Sequence, residues 1–492
     1  MDKNISIKKA ATISMISKYS VVFIQLFYSV ILARILTPED YGIVAIINVF
    51  VAFFSILANM GIGNAIIQNQ ELNKEDINSI FSFSIYMGIL LAIAFALLSI
   101  PISSIYSNNV YLKIGPLLSI SVFFSTINMV PNALLLKEKK FFIVGVRQVI
   151  VSLLCSIATI VLAVWGFKYY ALVLYSILSA IFTFLWNFKN VKLNFMFKIS
   201  MDSLNKVKQF SMFLFGFNIM NYFSRNLDNL LIGKYMGSAL LGNYNKAYQL
   251  MLYPLNYLTH VITPVLLPLI SSYQDDLDYV YKQYLKVVKV LSIIGIYITV
   301  FCFFSSKEIV LILFGSRWVK TIHAFRFLSL SIWFQMISAT SGSMFQVLDK
   351  TRTQFVRGIY TVSITIIAIL IGIKIGSIST VSFFVMLAYI INFVSMVYFL
   401  VYKSFNKSWL DYLKKLFPDL IIGGLVSISL IIASIYSYNN IFLSFIIKSL
   451  VSISVYLVGV KITNQFYVIY SILPSKVINK INKWNIFFFG RK

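Results

Sequence analysis

The chain has 492 residues, of which 59% are hydrophobic, 16% aromatic and only 12% charged. So few charged side chains cannot cover the surface of a water-soluble globule of this length, so the composition points to a polytopic membrane protein. The formal net charge of +26 is carried by basic connections between apolar stretches, with no stacking platform or basic groove motif, and no nucleic-acid partner is expected.

Fourteen apolar stretches long enough to cross a bilayer are read in chain order, at 12–34, 41–67, 78–101, 112–136, 143–165, 169–188, 209–233, 246–271, 283–304, 322–348, 355–375, 378–402, 417–437 and 441–460. The segment before the first, MDKNISIKKAATISMISKYS, lacks the compact apolar core and small-residue cleavage site of a signal peptide, so the first span is expected to stay in the mature protein. Gln25 lies within span 1 and Arg34 at its end. Asn59 and Gln68 in span 2, Asn128 in span 4 and Gln335 in span 10 either line a lumen or glue helices together.

Span 7 carries a polar stripe of Asn218, Asn221, Arg225, Asp228 and Asn229, spaced so that they fall roughly on one helical face. Asp228 is a carboxylate in mid-span, where an ionisable group marks a functional site, and Arg225 three residues earlier is its expected partner. The alternative is a structural pair that locks two helices. In span 8, Pro254, Pro264 and Pro268 are expected to bend the helix. The acidic run from Gln274 to Asp278 reads as a solvated loop, and Ser305 to Thr321, with Glu308 and Arg317, reads as an interfacial amphipathic helix. Lys448 interrupts span 14, and the basic tail beyond it reads as an interfacial helix held by Trp484, Phe487 to Phe489 and its lysines.

No carboxylate pair has catalytic placement. Cys155 and Cys302 lie in apolar stretches without metal or redox spacing, and His260 and His323 are too few and too far apart for a metal site. With the N-terminus inside, thirty of the 42 basic residues fall on cytoplasmic segments and eight on the opposite side, which places both termini in the cytoplasm.

The chain repeats itself at an offset of 200 residues: ILARILTPEDYGIVAIINVF from Ile31 matches LIGKYMGSALLGNYNKAYQL from Leu231. Arg34 corresponds to Lys234, Gly42 to Gly242, Gln25 to Arg225 and Ser29 to Asn229. Each following span is broken about twenty residues later, by Gly61 and Gly63 or by Pro264 and Pro268. The simplest architecture is two six-helix halves, 1–208 and 209–403, then two extra helices at 404–463 and a basic interfacial tail at 464–492. Such repeats suit a transporter that rocks its halves about a central cavity.

ARILTPEDYG, MGIGNAIIQ, RNLDNLLIGKYMG, LGNYNKAYQL, LPLISSYQDD and LFGSRWVKTIHAFRFLS, in this order and spacing, resemble the polysaccharide transporter family. These are the Wzx-like lipid-linked oligosaccharide flippases of the multidrug/oligosaccharidyl-lipid/polysaccharide exporter superfamily, and the resemblance covers nearly the whole chain. It implies an all-α fold with two six-helix lobes in a V shape like that of the multidrug exporters, a cationic central cavity, and no enzymatic step. It also implies translocation of undecaprenyl-diphosphate-linked sugar units, destined for O-antigen, capsule or exopolysaccharide, from the cytoplasmic to the outer leaflet of the cell's inner or plasma membrane. A polymerase and a chain-length regulator are the implied partners besides membrane lipids.

With that substrate, Arg225 is the best match to a diphosphate or acidic sugar, because its forked donors fit phosphate oxygens. Asp228 would hold Arg225 and could exchange a proton or sodium ion for coupling, with no other cofactor. Asn218, Asn221, Asn229 and Gln25 would bond sugar hydroxyls. Arg34 and Lys234 would form an outer rim or anchor helices by snorkelling. The rival functions are a lipid II-type flippase, a cation-coupled drug exporter of the same superfamily, and a membrane polymerase, ligase or glycosyltransferase. For that last class the longest outward connection is short.

Overall fold

A computed structural model of the chain describes residues 7–59, 62–69, 71–197, 200–203, 222, 226–259, 273–274, 276–435, 440–466 and 468. Their regular structure is helical throughout, as expected where the bilayer leaves backbone N–H and C=O groups no water to bond. Among them, eleven helices are long and apolar enough to cross a membrane. Four of the fourteen expected spans, 41–67, 209–233, 246–271 and 417–437, fall partly outside the described residues, together with Gly61, His260, Pro264, Pro268 and the tail from 469. The chain divides into two compact units, 1–245 and 246–492.

The first unit begins with α1 (Ile7–Ile35), α2 (Pro38–Asn59) and the short α3 (Ile62–Gln68). Of the glycine pair read from the sequence, Gly63 lies in the first turn of α3 and Gly61 lies outside the described residues. α4 (Lys74–Tyr106) starts at a capping box, in which the Asn73 side chain accepts from the Asp76 N–H at 2.7 Å and Asp76 accepts from the Asn73 N–H at 3.2 Å. Ile89, Leu90, Ile93 and Leu97 recur along α4 at helical spacing and are exposed, which makes them a lipid-facing stripe. α5 (Val110–Ile127) and α6 (Met129–Lys137) meet at Asn128, and α7 (Phe141–Val164) and α8 (Tyr169–Lys189) follow. Ile62, Ile66, Ile80, Phe81, Val130 and Leu134 form an apolar core that binds α3, α4 and α6 together.

The helical residues 226–236 (α9) pack within this unit, where the Tyr106 hydroxyl donates to the Leu230 carbonyl at 3.2 Å. After Gly237, α10 (Ser238–Pro254) carries the chain into the second unit and ends at Pro254 in a π-helical turn, Leu255–Thr259. Proline removes the backbone donor that would continue the α-helical ladder, which accounts for the change of pitch.

In the second unit, α11 (Leu277–Phe304) is the central post. Its first half packs Tyr281, Tyr284 and Val288 against Trp333, Phe393, Phe405 and Tyr412. Its second half packs Ile293 and Val300 against Ile422, Val426 and Leu430 of α18 (Trp409–Ile435) and Val460 of α19 (Ile441–Ile462). The last two helices therefore attach to α11. Between these elements lie α12 (Ser306–Phe314), α13 (Val319–Ser329), α14 (Ile332–Ser338), α15 (Ser341–Val347), α16 (Thr351–Ile375) and α17 (Ile378–Met396).

In the stretch from Ser305, Glu308 is buried and pairs with Lys448 at 2.7 Å, and it also accepts from the Ser444 hydroxyl at 2.8 Å. That pair also explains why a lysine interrupts α19. One sequence reading is corrected here. The single span expected at 322–348 is the succession α13, α14, α15. At its joints the Ser331 and Ser341 hydroxyls take the Leu328 and Ser338 carbonyls, at 2.6 and 2.7 Å, and such back-bonding bends helices.

Candidate functional site

The two halves of the sequence repeat meet in the first unit. A side chain at Gly42, on α2, would come within 1.7 Å of the Ser238 carbonyl oxygen. One at Gly242, on α10, would come within 1.8 Å of the Pro38 carbonyl oxygen. At the 200-residue offset Pro38 corresponds to Ser238 and Gly42 to Gly242, so each half makes the same contact on the other. This is a reciprocal, locally two-fold crossing of α2 and α10, and only glycine lets two backbones approach so closely.

A cavity of about 310 Å³ lies beside this crossing. Its wall is built by α1 (Tyr28), α2 (Tyr41, Asn48), α8 (Tyr175, Ser176), α9 (Asn226, Asn229) and α10 (Asn245). Tyr28 and Tyr175 stack with ring centroids 5.1 Å apart. The Asn245 amide donates to the Asn229 Oδ1 at 3.2 Å, and Asn226 donates to the Tyr222 carbonyl at 3.0 Å. Tyr222 in turn donates its hydroxyl to the Val49 carbonyl. Aromatic faces with amide and hydroxyl groups match a ligand that has apolar ring faces and many hydroxyls.

Asp228 stands behind this wall, buried. Its Oδ1 accepts from the Asn229 backbone N–H at 2.8 Å and its Oδ2 from the Tyr244 hydroxyl at 3.2 Å. The carboxylate thereby clips α9, which carries Asn229, to α10, which carries Asn245.

Of the residues singled out in the sequence, the structure brings Asn229 to the cavity wall and Asp228 directly behind it. Gln25 is exposed on α1 and reaches the Tyr175 hydroxyl of that wall. Arg34 and Lys234 occupy repeat-matched, exposed positions at the ends of α1 and α9 and do not line it, with Lys234 over the Tyr235 ring at 5.4 Å. Arg225, Asn218 and Asn221 lie outside the described residues. Gln335 donates to Ser331 at 2.8 Å, a bond between neighbouring turns.

Sequence reasoning did not single out the tyrosines of the wall or two buried cations. Lys246 sits over the Phe314 ring at 5.2 Å inside the second unit. Arg147 is buried on α7 among asparagine amides. Its position inside an expected span was the available signal.

Residues 31–323 match the family model described as "Polysaccharide biosynthesis protein". The chain is 25% identical over 409 residues to the lipopolysaccharide biosynthesis protein WzxC of Escherichia coli (strain K12), covering 82% of each chain. It is 21% identical over 318 residues to the succinoglycan biosynthesis transport protein ExoT of Rhizobium meliloti (strain 1021), covering 65% of this chain and 64% of that one. Among solved structures it is similar to the lipid II flippase MurJ in an inward closed conformation, with a TM-score of 0.73 at 18% identity over 92% of this chain and 99% of that chain. At that identity the likeness speaks for the fold.

Proposed function

Since this chain belongs to the polysaccharide biosynthesis protein family, whose model spans residues 31–323, we propose that it flips lipid-linked oligosaccharides across the cell's inner or plasma membrane. The cargo is an undecaprenyl-diphosphate-linked repeat unit, moved from the cytoplasmic to the outer leaflet by alternating access. The observation that carries this reading is the cavity at the repeat crossing, whose wall of tyrosines and asparagines suits a glycan. The relatives named for lipopolysaccharide biosynthesis and succinoglycan transport support the same class of cargo.

The physical task matches the parts. A glycan headgroup cannot enter hydrocarbon, so the carrier must offer hydrogen-bonding groups in a wet cavity reached from the side. Asn229, Asn245 and Asn48 bond sugar hydroxyls, and the Tyr28–Tyr175 stack offers a ring face. Arg225 holds the diphosphate or an acidic sugar, and Asp228 restrains it and exchanges a proton or sodium ion for coupling. Gln25 assists at the wall, and Arg34 and Lys234 fix the helix ends at the outer rim. Both termini are cytoplasmic, with basic loops inside. The protein performs no catalytic step and works beside a polymerase and a chain-length regulator.

The test is accumulation of lipid-linked repeat units in cells carrying Asp228→Asn or Arg225→Ala, with membrane protein level measured in parallel. The reading expects normal protein level and repeat units trapped on the cytoplasmic face. Normal flipping in both variants would remove these residues from the transport path.

A further inference from the structure

A second cavity of the first unit, about 230 Å³, lies between α2 and α3 on one side and the α5–α6 junction on the other. Its polar wall includes Asn64, Asn128, Asn132 and Ser125. Behind the wall stands Arg147, 6% exposed. Its Nη1 donates to the Asn132 Oδ1 at 2.9 Å and to the Asn187 Oδ1 at 2.6 Å. The fully buried Asn187 passes its own amide to the Asn128 Oδ1 at 2.8 Å.

The direction of these bonds follows from the chemistry of the groups. A guanidinium has only donors, so Asn132 and Asn187 must turn their oxygens to Arg147. Asn187 then has only its NH2 left to give, and Asn128 must accept it with its oxygen. Of the pocket-lining asparagines, Asn128 and Asn132 therefore have their oxygens engaged from behind and have their NH2 groups to offer as donors. No carboxylate pairs with Arg147 among the described residues. The Asn128 and Asn132 face of the wall is thus a pair of amide donors backed by a positive charge that no carboxylate of the described residues pairs with.

A clamp joining α5, α6, α7 and α8 would need the hydrogen bonds but not the charge, and an unpaired buried cation is costly in a bilayer. An oxyanion in the cavity supplies the missing counter-charge and fills the free donors together. We propose that this cavity is an anion site for a phosphate-type group, contacted by Asn128 and Asn132, with Arg147 as the positioning residue that orients them. The inference rests on the flippase reading only for the source of the anion, which is the diphosphate of the lipid-linked sugar or an anionic phospholipid headgroup. Lys137 and Lys140, bonded to the Asn69 and Asn190 carbonyls, mark the nearby end of α6 and its loop as basic.

Asn132→Asp decides the matter, because an isosteric carboxylate keeps the bond to Arg147 and cancels its charge. Full-length protein in an uncharged detergent is titrated with sodium pyrophosphate by calorimetry, and its melting temperature is followed in parallel. The wild type is expected to bind saturably, and Asn132→Asp to bind roughly ten-fold or more weakly with an unchanged or higher melting temperature. Equal binding by the two, or no saturable binding by the wild type, overturns the proposal. Repeating the titration in phosphatidylcholine and phosphatidylglycerol nanodiscs separates the sources. Loss of binding in phosphatidylglycerol alone supports a site taken by the headgroup, and equal binding in both supports a site for the diphosphate. A protein that binds pyrophosphate but moves no oligosaccharide sinks the flippase reading and leaves the site standing.

Discussion

Lys448 and Glu308 are the side chains whose places the sequence explained least and the structure explains most simply. Each charge is buried, and each is tolerable only because the other is 2.7 Å away. Lys448→Met leaves the Glu308 carboxylate buried without its cation, and is expected to destabilise the folded protein by about 3 kcal/mol or more. Adding Glu308→Gln should recover much of that loss, because the pair is then replaced by neutral groups; melting curves of the purified protein check both. The interruption of an apolar helix by Lys448 was legible in the sequence. Its partner was not, because it lies 140 residues away and sequence periodicity carries no information about contacts at that range. Arg147 is a similar case, since its amides come from positions 15 and 40 residues distant. Asp228 is the opposite case, since mid-span placement alone singled it out. Tyr244, which holds it, belongs to the same short stretch of chain.

Between elements, the repeat was the most informative signal. Two stretches of unlike sequence were matched through a basic residue and a glycine, and the structure puts those glycines on one reciprocal crossing of α2 and α10. Gly42→Val and Gly242→Val each force the other backbone away, so each is expected to lower stability by about 1–3 kcal/mol and to depress transport. Two-fold equivalence predicts similar losses for both, and unequal effects in a melting and transport comparison would mean that the crossing is not equivalent from its two sides. The joints of α13, α14 and α15 were not legible in the sequence, because hydropathy averages over a window longer than the serine-mediated bends that separate them.

For the whole molecule, composition sufficed for the class and the ordered blocks of sequence for the family, while the exact set of spans depends on segments where polar groups and prolines interrupt apolar runs. The proposed orientation makes a direct prediction. In a background with Cys155→Ser and Cys302→Ser, a cysteine at Lys374 should react with a membrane-impermeant maleimide in intact cells whose inner membrane is accessible, and one at Lys139 should react only after lysis. The opposite pattern would invert the topology and the direction of transport with it. The central claim is tested most directly by reconstituting the purified protein into liposomes loaded with an undecaprenyl-diphosphate-linked oligosaccharide and following the fraction of glycan open to an external glycosidase. The account predicts that wild-type protein drives exposure beyond the initially accessible leaflet and that Asp228→Asn slows it. A trace no different from that of protein-free liposomes, from protein that melts cooperatively and spans the vesicles, would contradict it.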